Sequence, residues 1–346
     1  MAVFAKIYRK VVQMVSVGLA SKGLRFVFSA FLLMSLPSVA FAADASYVQT
    51  FGSKTSNGDE LANAFFDLLS NTGSPSGTVG TTAEQDEASK ALVKPHLDVA
   101  FQLQRASGER YTDETYLPAD VDDFEIGDVR ETRPADDVLV VRYSVRTTQT
   151  LPDTALVMSK DKAPRLTVFH WDSTGSSWKV LSHANFNTPI AAICDKAPLV
   201  DNGLESTAST EDQKLGVSLA ERWFSLLEQG DGGPILNAQV QGQTAGGLGY
   251  TTSAEYKPGK LSKVQLDDFV VTRNGKLIVV SLYAKAAHTV YGGSQQLGTD
   301  AHPRLLTFQQ ADDGNWSLIA TATFNPPKEL PQGTVCVPAG VLEEAP

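Results

Sequence analysis

The sequence predicts an α+β protein made of two tandem copies of one domain, each with helices first and a mostly antiparallel sheet after them. Three observations carry this. Residues 163 to 189, APRLTVFHWDSTGSSWKVLSHANFNTP, recur at 302 to 327 as HPRLLTFQQADDGNWSLIATATFNPP, sharing Pro-Arg-Leu, a Phe, a turn Gly, a Trp and a closing Phe-Asn-x-Pro. Upstream, AFFDLLSNTG at 64 to 73 answers RWFSLLEQGD at 222 to 231, and Asp122-Asp123-Phe124 answers Asp267-Asp268-Phe269. Within each copy the apolar periodicity changes from helical to alternating, the order expected of α+β layers.

In the first copy Asn57 with Glu60 three residues on forms a capping box. Leu61, Phe65, Leu68 and Leu69 follow at helical spacing until Asn71 to Gly73 stops the helix. Residues 74 to 82, rich in Ser, Gly and Thr, read as a loop, and Ala83 to Val93 as a second, more polar helix that Pro95 ends. Strands are expected at 99–106, 121–132, 138–150, 165–172 and 178–186. Hairpin turns fit at Pro134 to Asp137 and Ser173 to Ser177, where Asp, Ser or Gly takes the corner.

The second copy runs from a helix over 212–229, with Leu215, Leu219, Trp223, Leu226 and Leu227 on one stripe, to strands near 235, 265–273, 276–289, 303–311 and 316–325. The first copy is longer between its helix and its Asp-Asp-Phe, which places an insertion in the 74–88 region. The domain plan is therefore a leader over 1–42, a first domain over 43–196, a linker over 197–210, a second domain over 211–328 and an irregular tail over 329–346.

The leader has Lys6, Arg9, Lys10, Lys22 and Arg25 and no acid, then an apolar run from Phe26 to Leu36, then an Ala-x-Ala exit at Ala40 to Ala42. That is the form of a secretory signal peptide cleaved after Ala42, so a periplasmic or secreted protein with no stable membrane anchor after cleavage is expected. An uncleaved anchor is the other reading, but Pro37 interrupts an apolar stretch already marginal for the roughly 20 residues that span a bilayer. The net charge of −10 becomes more negative once those cations leave, which argues against nucleic acid and anionic membrane surfaces as partners. The only cysteines, Cys194 and Cys336, each follow a Phe-Asn-x-Pro. In an oxidising compartment they either close one disulfide or remain two unrelated thiols.

The stretch RASGERYTDETYL at 105 to 117, the strand DFEIGDVR at 123 to 130 and the hairpin from Arg165-Leu-Thr-Val-Phe to Trp178 resemble the NTF2-like superfamily, in its SnoaL-like or DUF4440-like branch. The resemblance covers most of 57–189 and more weakly 212–327. It implies a curved antiparallel sheet wrapped round helices into a cone with a pocket at its open end. Members include isomerases, cyclases, dehydratases and non-enzymatic binding domains, so the fold leaves activity open. The resemblance also implies an outer sheet face that mediates pairing, which a tandem chain satisfies internally as a pseudo-dimer. Strict alternation puts Val180, Ser182, Ala184 and Phe186, with Leu318, Ala320, Ala322 and Phe324, on the helix-facing side, and Leu181, His183, Asn185 and Asn187 on the other.

Candidate chemistry is sparse. His170 and His183 lie on neighbouring strands, and Gln309 and Thr321 replace them in the second copy, so an imidazole base would belong to the first domain; a satisfied core histidine is the simpler account. Arg165 and Arg304 recur at one place. Each fits either a carboxylate clamp at a pocket mouth or an ion pair with the nearby Asp-Asp. The adjacent acids Asp122-Asp123 and Asp267-Asp268 point to opposite faces of a strand and mark its start rather than form a dyad. Tyr111, Tyr116, Tyr143 and Tyr250 are aromatic or hydroxyl lining. The five histidines, at 96, 170, 183, 288 and 302, have no metal-ligand spacing, and no phosphate loop or nucleophile elbow is present. No cofactor is expected.

The expected function is an exported binding or interaction protein holding a small apolar or weakly polar molecule in one cone, or docking an envelope protein, with Tyr111, Tyr116, Arg165, Tyr250 and Arg304 at the pockets. The alternatives are an isomerase, cyclase or dehydratase working in the first domain, with His170, Tyr143 and Asp123 as its catalytic residues, and a structural envelope component.

Overall fold

A computed structural model describes residues 51–72, 83–118, 120–150, 156–192, 204–245, 247–257, 260–289 and 301–324. The segment expected to be a signal peptide, both cysteines and the C-terminal tail lie outside the described residues. Among the described residues no helix is long and apolar enough to cross a membrane.

Two six-stranded sheets of matching order form the protein. In the first half, helix α1 (Gly58–Asn71) and helix α2 (Ala83–Val93) precede β1 (Leu97–Arg105), β2 (Arg110–Thr112), β3 (Asp120–Ala135), β4 (Val138–Thr150), β6 (Ala163–Asp172) and β7 (Ser177–Asn185), ordered β2-β1-β7-β6-β4-β3. In the second half, α3 (Thr210–Gln229) precedes β9 (Leu236–Thr244), β10 (Gly249–Tyr250), β11 (Lys260–Asn274), β12 (Leu277–Thr289), β13 (His302–Gln310) and β14 (Trp316–Thr323), ordered β10-β9-β14-β13-β12-β11. The expected α+β class holds. All pairings are antiparallel except β1 with β7 and β9 with β14. A short pair, β5 (Leu156–Met158) with β8 (Pro189–Ala192), was not signalled by the sequence pattern.

The helix starts follow from local chemistry. Asn57 accepts from the Glu60 amide at 2.9 Å while Glu60 returns a contact to the Asn57 amide, so the capping box forms. Ser209 caps α3, and Gly230, at φ 78, ends it in the left-handed conformation. Helix α2 occupies the expected insertion, and no described helix separates α3 from β9 except a 3-10 turn at Gly233–Ile235.

Each concave face buries its own helix. Leu61, Phe65, Phe66 and Leu69 of α1 meet Leu139, Val141, Phe169 and Val180, and Leu219, Trp223, Phe224 and Leu227 of α3 meet Ile278, Val280, Leu306 and Leu318. A third core lies between the two sheets. Val138, Val140, Leu166, Val168, Leu181, Ala184 and Phe186 from one half join Leu277, Val279, Leu305, Ile319, Ala322 and Phe324 from the other, with Phe186 stacked on Phe324 at 4.5 Å.

Polar contacts across this joint come in matched pairs. Gln102 Nε2 donates to Val270 O (3.1 Å), Thr272 Oγ1 (3.0 Å) and Val279 O (2.9 Å). Gln241 Nε2 donates to Arg130 O (3.2 Å), Thr132 Oγ1 (3.2 Å) and Val140 O (2.8 Å). Thr272 donates to Ala100 O and Thr132 to Gln239 O. Such reciprocity is the signature of a two-fold, isologous contact, here within one chain.

Strict alternation fails in the last strand of each half. The β6–β7 register shifts at Val168/Phe169 and the β13–β14 register at Thr307/Phe308. A bulge there moves every following side chain to the opposite face. Val180 and Leu318 therefore face the helices, while Ser182, Ala184, Phe186, Ala320, Ala322 and Phe324 face the joint, where Ser182 shares a hydrogen bond with Thr307 at 2.9 Å. His183 turns into the cone.

A second correction concerns the repeated acids. With Thr132 pairing Val140 and Thr272 pairing Val279, the strand register makes Asp128, not Asp123, the counterpart of Asp268. Both sit at a register shift with φ 55. Asp267 and Asp268 also lie well inside β11 rather than at its start. A three-residue sequence match yields to the register because pairing across the whole strand is what buries the correct faces.

Candidate functional site

Inside the first cone, alternation brings polar side chains from five strands to one place. Beyond Leu139 and Val141, β4 presents Tyr143 inward; β6 presents Arg165 and Thr167; β7, after its bulge, presents His183; β1 and β2 add Arg105 and Tyr111. Cross-strand register sets Tyr143 opposite Arg165 and Thr167 opposite His183. The contacts form a chain: the Tyr143 hydroxyl shares a hydrogen bond with Thr167 Oγ1 at 3.0 Å, and Thr167 shares one with His183 Nδ1 at 2.8 Å. Phe65 meets the His183 ring edge-on at 5.3 Å. Tyr116 packs against Phe101 and Tyr111, and Arg105 donates to the Tyr111 hydroxyl at 2.9 Å.

Arg165 is fully buried, and its Nη1 donates to Pro164 O at 2.8 Å. Its Nε and Nη2 have no hydrogen-bond partner among the described residues. Among the described residues Arg165 therefore makes no ion pair with an Asp-Asp. It is Arg110 that bonds Asp268, at 2.5 Å across the joint, because Arg110 faces outward from β2 while Arg165 faces inward from β6. Burial pushes the Arg165 guanidinium down to about 10 and the Tyr143 phenol up to about 12. Burial, then Arg165 and Arg105, hold His183 well below the ordinary imidazole range, so its ring is neutral. No described carboxylate bonds to Tyr143, Thr167 or His183.

The second cone is different. Leu282, Leu306 and Thr321 stand where Tyr143, Thr167 and His183 stand in the first. Arg304 is buried, donates to Pro303 O at 2.8 Å, and is pushed down to about 10 by burial. Tyr250 lies against Tyr256 at 4.9 Å and over Gly242, where a Cβ would come within 2.2 Å of its ring; burial holds the Tyr250 phenol well above its usual range.

The catalytic candidates do not converge. His170 faces outward with Leu166 and Val168, and its Nδ1 is 2.7 Å from Asp98 Oδ2. Asp98 also accepts from Asn274 of the second half at 2.9 Å and from the Ala100 amide. His170 lines a cavity of about 470 Å³ at one end of the joint, with Asp137, Lys276 and Gln309 among its walls. Tyr143 lies inside the cone, and Asp123 is exposed on β3. Sequence reasoning named His183 but put it on the outer face, because its inward position depends on a bulge, and it missed Arg105 and Thr167, which alternation alone could have placed beside Arg165. Among the described residues no group of three or more His, Cys, Asp or Glu side chains could hold a metal.

No family model and no curated protein matches the chain. Solved structures similar to it include an NTF2-like protein from Cytophaga hutchinsonii (15% identity, TM-score 0.28, covering 33% of this chain and 97% of that one). Another is an NTF2-like protein of unknown function in nutrient uptake from Rhodospirillum rubrum (24%, 0.28, 31% and 93%). A third is a ketosteroid isomerase candidate from Shewanella frigidimarina (16%, 0.25, 31% and 92%). At these identities and scores they say nothing of activity here, and the two-sheet architecture rests on the strand order and register above.

Proposed function

We propose that the protein is an exported binding module that holds one small molecule in its first cone, an apolar body carrying a single carbonyl or carboxylate acceptor. The observation behind this reading is Arg165: a guanidinium with no exposed surface and two nitrogens left without partners among the described residues. Leaving such donors unmet is costly, roughly 1–3 kcal/mol for each buried polar group, so an acceptor supplied by a ligand is the economical solution. Tyr143, Thr167 and neutral His183 beside it supply donors and acceptors of fixed direction, and Tyr111, Tyr116 and Phe65 the apolar wall. The isomerase reading requires a carboxylate base next to these groups, and none is bonded to them among the described residues. A binding role is the simpler one, with the second cone, apolar at the equivalent positions, filled by its own side chains.

The test is native mass spectrometry of the mature chain purified from its own envelope, alongside Arg165→Met. A retained small molecule in the natural protein and its loss from the variant are expected. Bare polypeptide from both, or equal retention by both, would overturn the reading. The same spectra measure the mature mass, which should correspond to a chain beginning at Ala43 and with Cys194 joined to Cys336 in exported material.

A further inference from the structure

We propose a second site, an oxyanion-binding crevice between the two halves, in which Arg142 and Arg130 of the first half receive a phosphate or carboxylate group. It rests on different arginines from the cone site, although Tyr143 and Pro164 border both. A cavity of about 300 Å³ is lined by Asp128, Arg130, Arg142, Ser144, Gln243 and Gly247 together with Tyr143 and Pro164. Arg130 and Arg142 are direct cross-strand partners in β3 and β4. Like charges so placed repel each other and destabilise the sheet.

The internal two-fold supplies a control. At the related position of the joint, Arg110 reaches from β2 to Asp268 and lies over the Tyr283 ring, so that cation is matched within the protein. Gly249 takes the place of Arg110 in the second half, and Val270 and Ser281 take those of Arg130 and Arg142. The space that Gly249 leaves is used: a Cβ there would fall 1.5 Å from Arg142 Nη1. Arg142 therefore crosses the joint, where its Nη2 donates to Thr251 Oγ1 at 3.1 Å. Its buried Nε has no partner among the described residues.

Neither Arg130 nor Arg142 forms an ion pair among the described residues. Asp128, the counterpart of Asp268, is turned to Ser144 Oγ at 2.6 Å and to Lys162 at 3.8 Å. Burial, opposed by the more distant Glu255 and aided by Arg130, lowers the Arg142 pKa, and Glu255 itself accepts from the Thr251 amide at 2.6 Å. One related position thus holds a closed ion pair and the other holds two guanidinia beside open space. A guanidinium presents parallel N–H donors that match an oxyanion.

Isothermal titration of inorganic phosphate, and separately acetate, into the mature full-length chain at low ionic strength tests this. Saturable one-to-one binding is expected, weakened at least about tenfold in Arg142→Gln and in Arg130→Gln and lost in Gly249→Leu. Arg165→Met should bind as the natural protein does, which separates this crevice from the cone. A stronger response to phosphate assigns a phosphate ligand, and a stronger response to acetate a carboxylate. Absence of saturable binding to both probes would overturn the proposal. So would unchanged affinity in Arg130→Gln, an exposed position whose replacement leaves the fold intact, or loss of binding in Arg165→Met alone.

Discussion

Replacing Gln102 by Leu probes whether the two sheets form one cooperative unit. Gln102 is 1% exposed, and its Nε2 lies within 3.1 Å of three acceptors on the opposite half. An amide has two hydrogens, so two good bonds form at once, each contributing about 0.5–1.5 kcal/mol net. Leucine fills a similar volume but leaves Val270 O and Val279 O without this donor, adding part of the desolvation cost of buried carbonyls. Against this, Gln102 Oε1 is itself buried without a partner among the described residues, and its removal returns some of that loss. The balance is a destabilisation of about 1–3 kcal/mol. The assay is urea unfolding followed both by far-UV circular dichroism and by fluorescence of Trp178 in the first half and Trp223 in the second. Gln241→Leu, the two-fold equivalent, should give the same loss, and both halves should unfold together at a lower midpoint. A change below about 0.5 kcal/mol in both variants, or a shift confined to one half, would refute the account of the joint.

Phe186→Ala removes one ring of the 4.5 Å stack at the centre of the joint and should destabilise by about 3–5 kcal/mol, measured in the same denaturation. Stability should fall as pH drops below about 6.5, the ordinary imidazole value, because His183 and His96 bind protons more readily unfolded than folded; burial holds His183 well below that value and brings His96 to about 4, with Lys179 assisting at His96. The Asp98-bound His170 is shifted the other way, so its contribution is present at low pH and lost as pH rises through its raised value. His183→Gln should flatten the acid slope, and a slope left unchanged by it would remove His183 from the account.

The architecture was largely legible in the chain. Helical spacing from Leu61 to Leu69, the Asn57 capping box and the alternation of 138–150 and 165–172 are local signals, and each element formed where its signal lay. The site was legible only in part. Tyr143 and Arg165 were singled out and do meet, since strand register joins them. His183 was assigned to the outer face, because a bulge leaves no mark in a pattern of alternating residues. The pairing of Asp268 with Arg110 rather than Arg304 depends on two sheets meeting, a contact between residues far apart in sequence.

The sequence alone determined the duplication, the α+β class and the helices and long strands, though not the short strands β2, β5, β8 and β10, because periodicity, caps and turn residues act over a few positions. Tertiary structure decided which face each bulged strand presents, which arginines are matched and which are left in open space, and that the first cone is polar where the second is greasy. These are outcomes of register and of the packing of one sheet on another, set by how much apolar surface the whole arrangement buries.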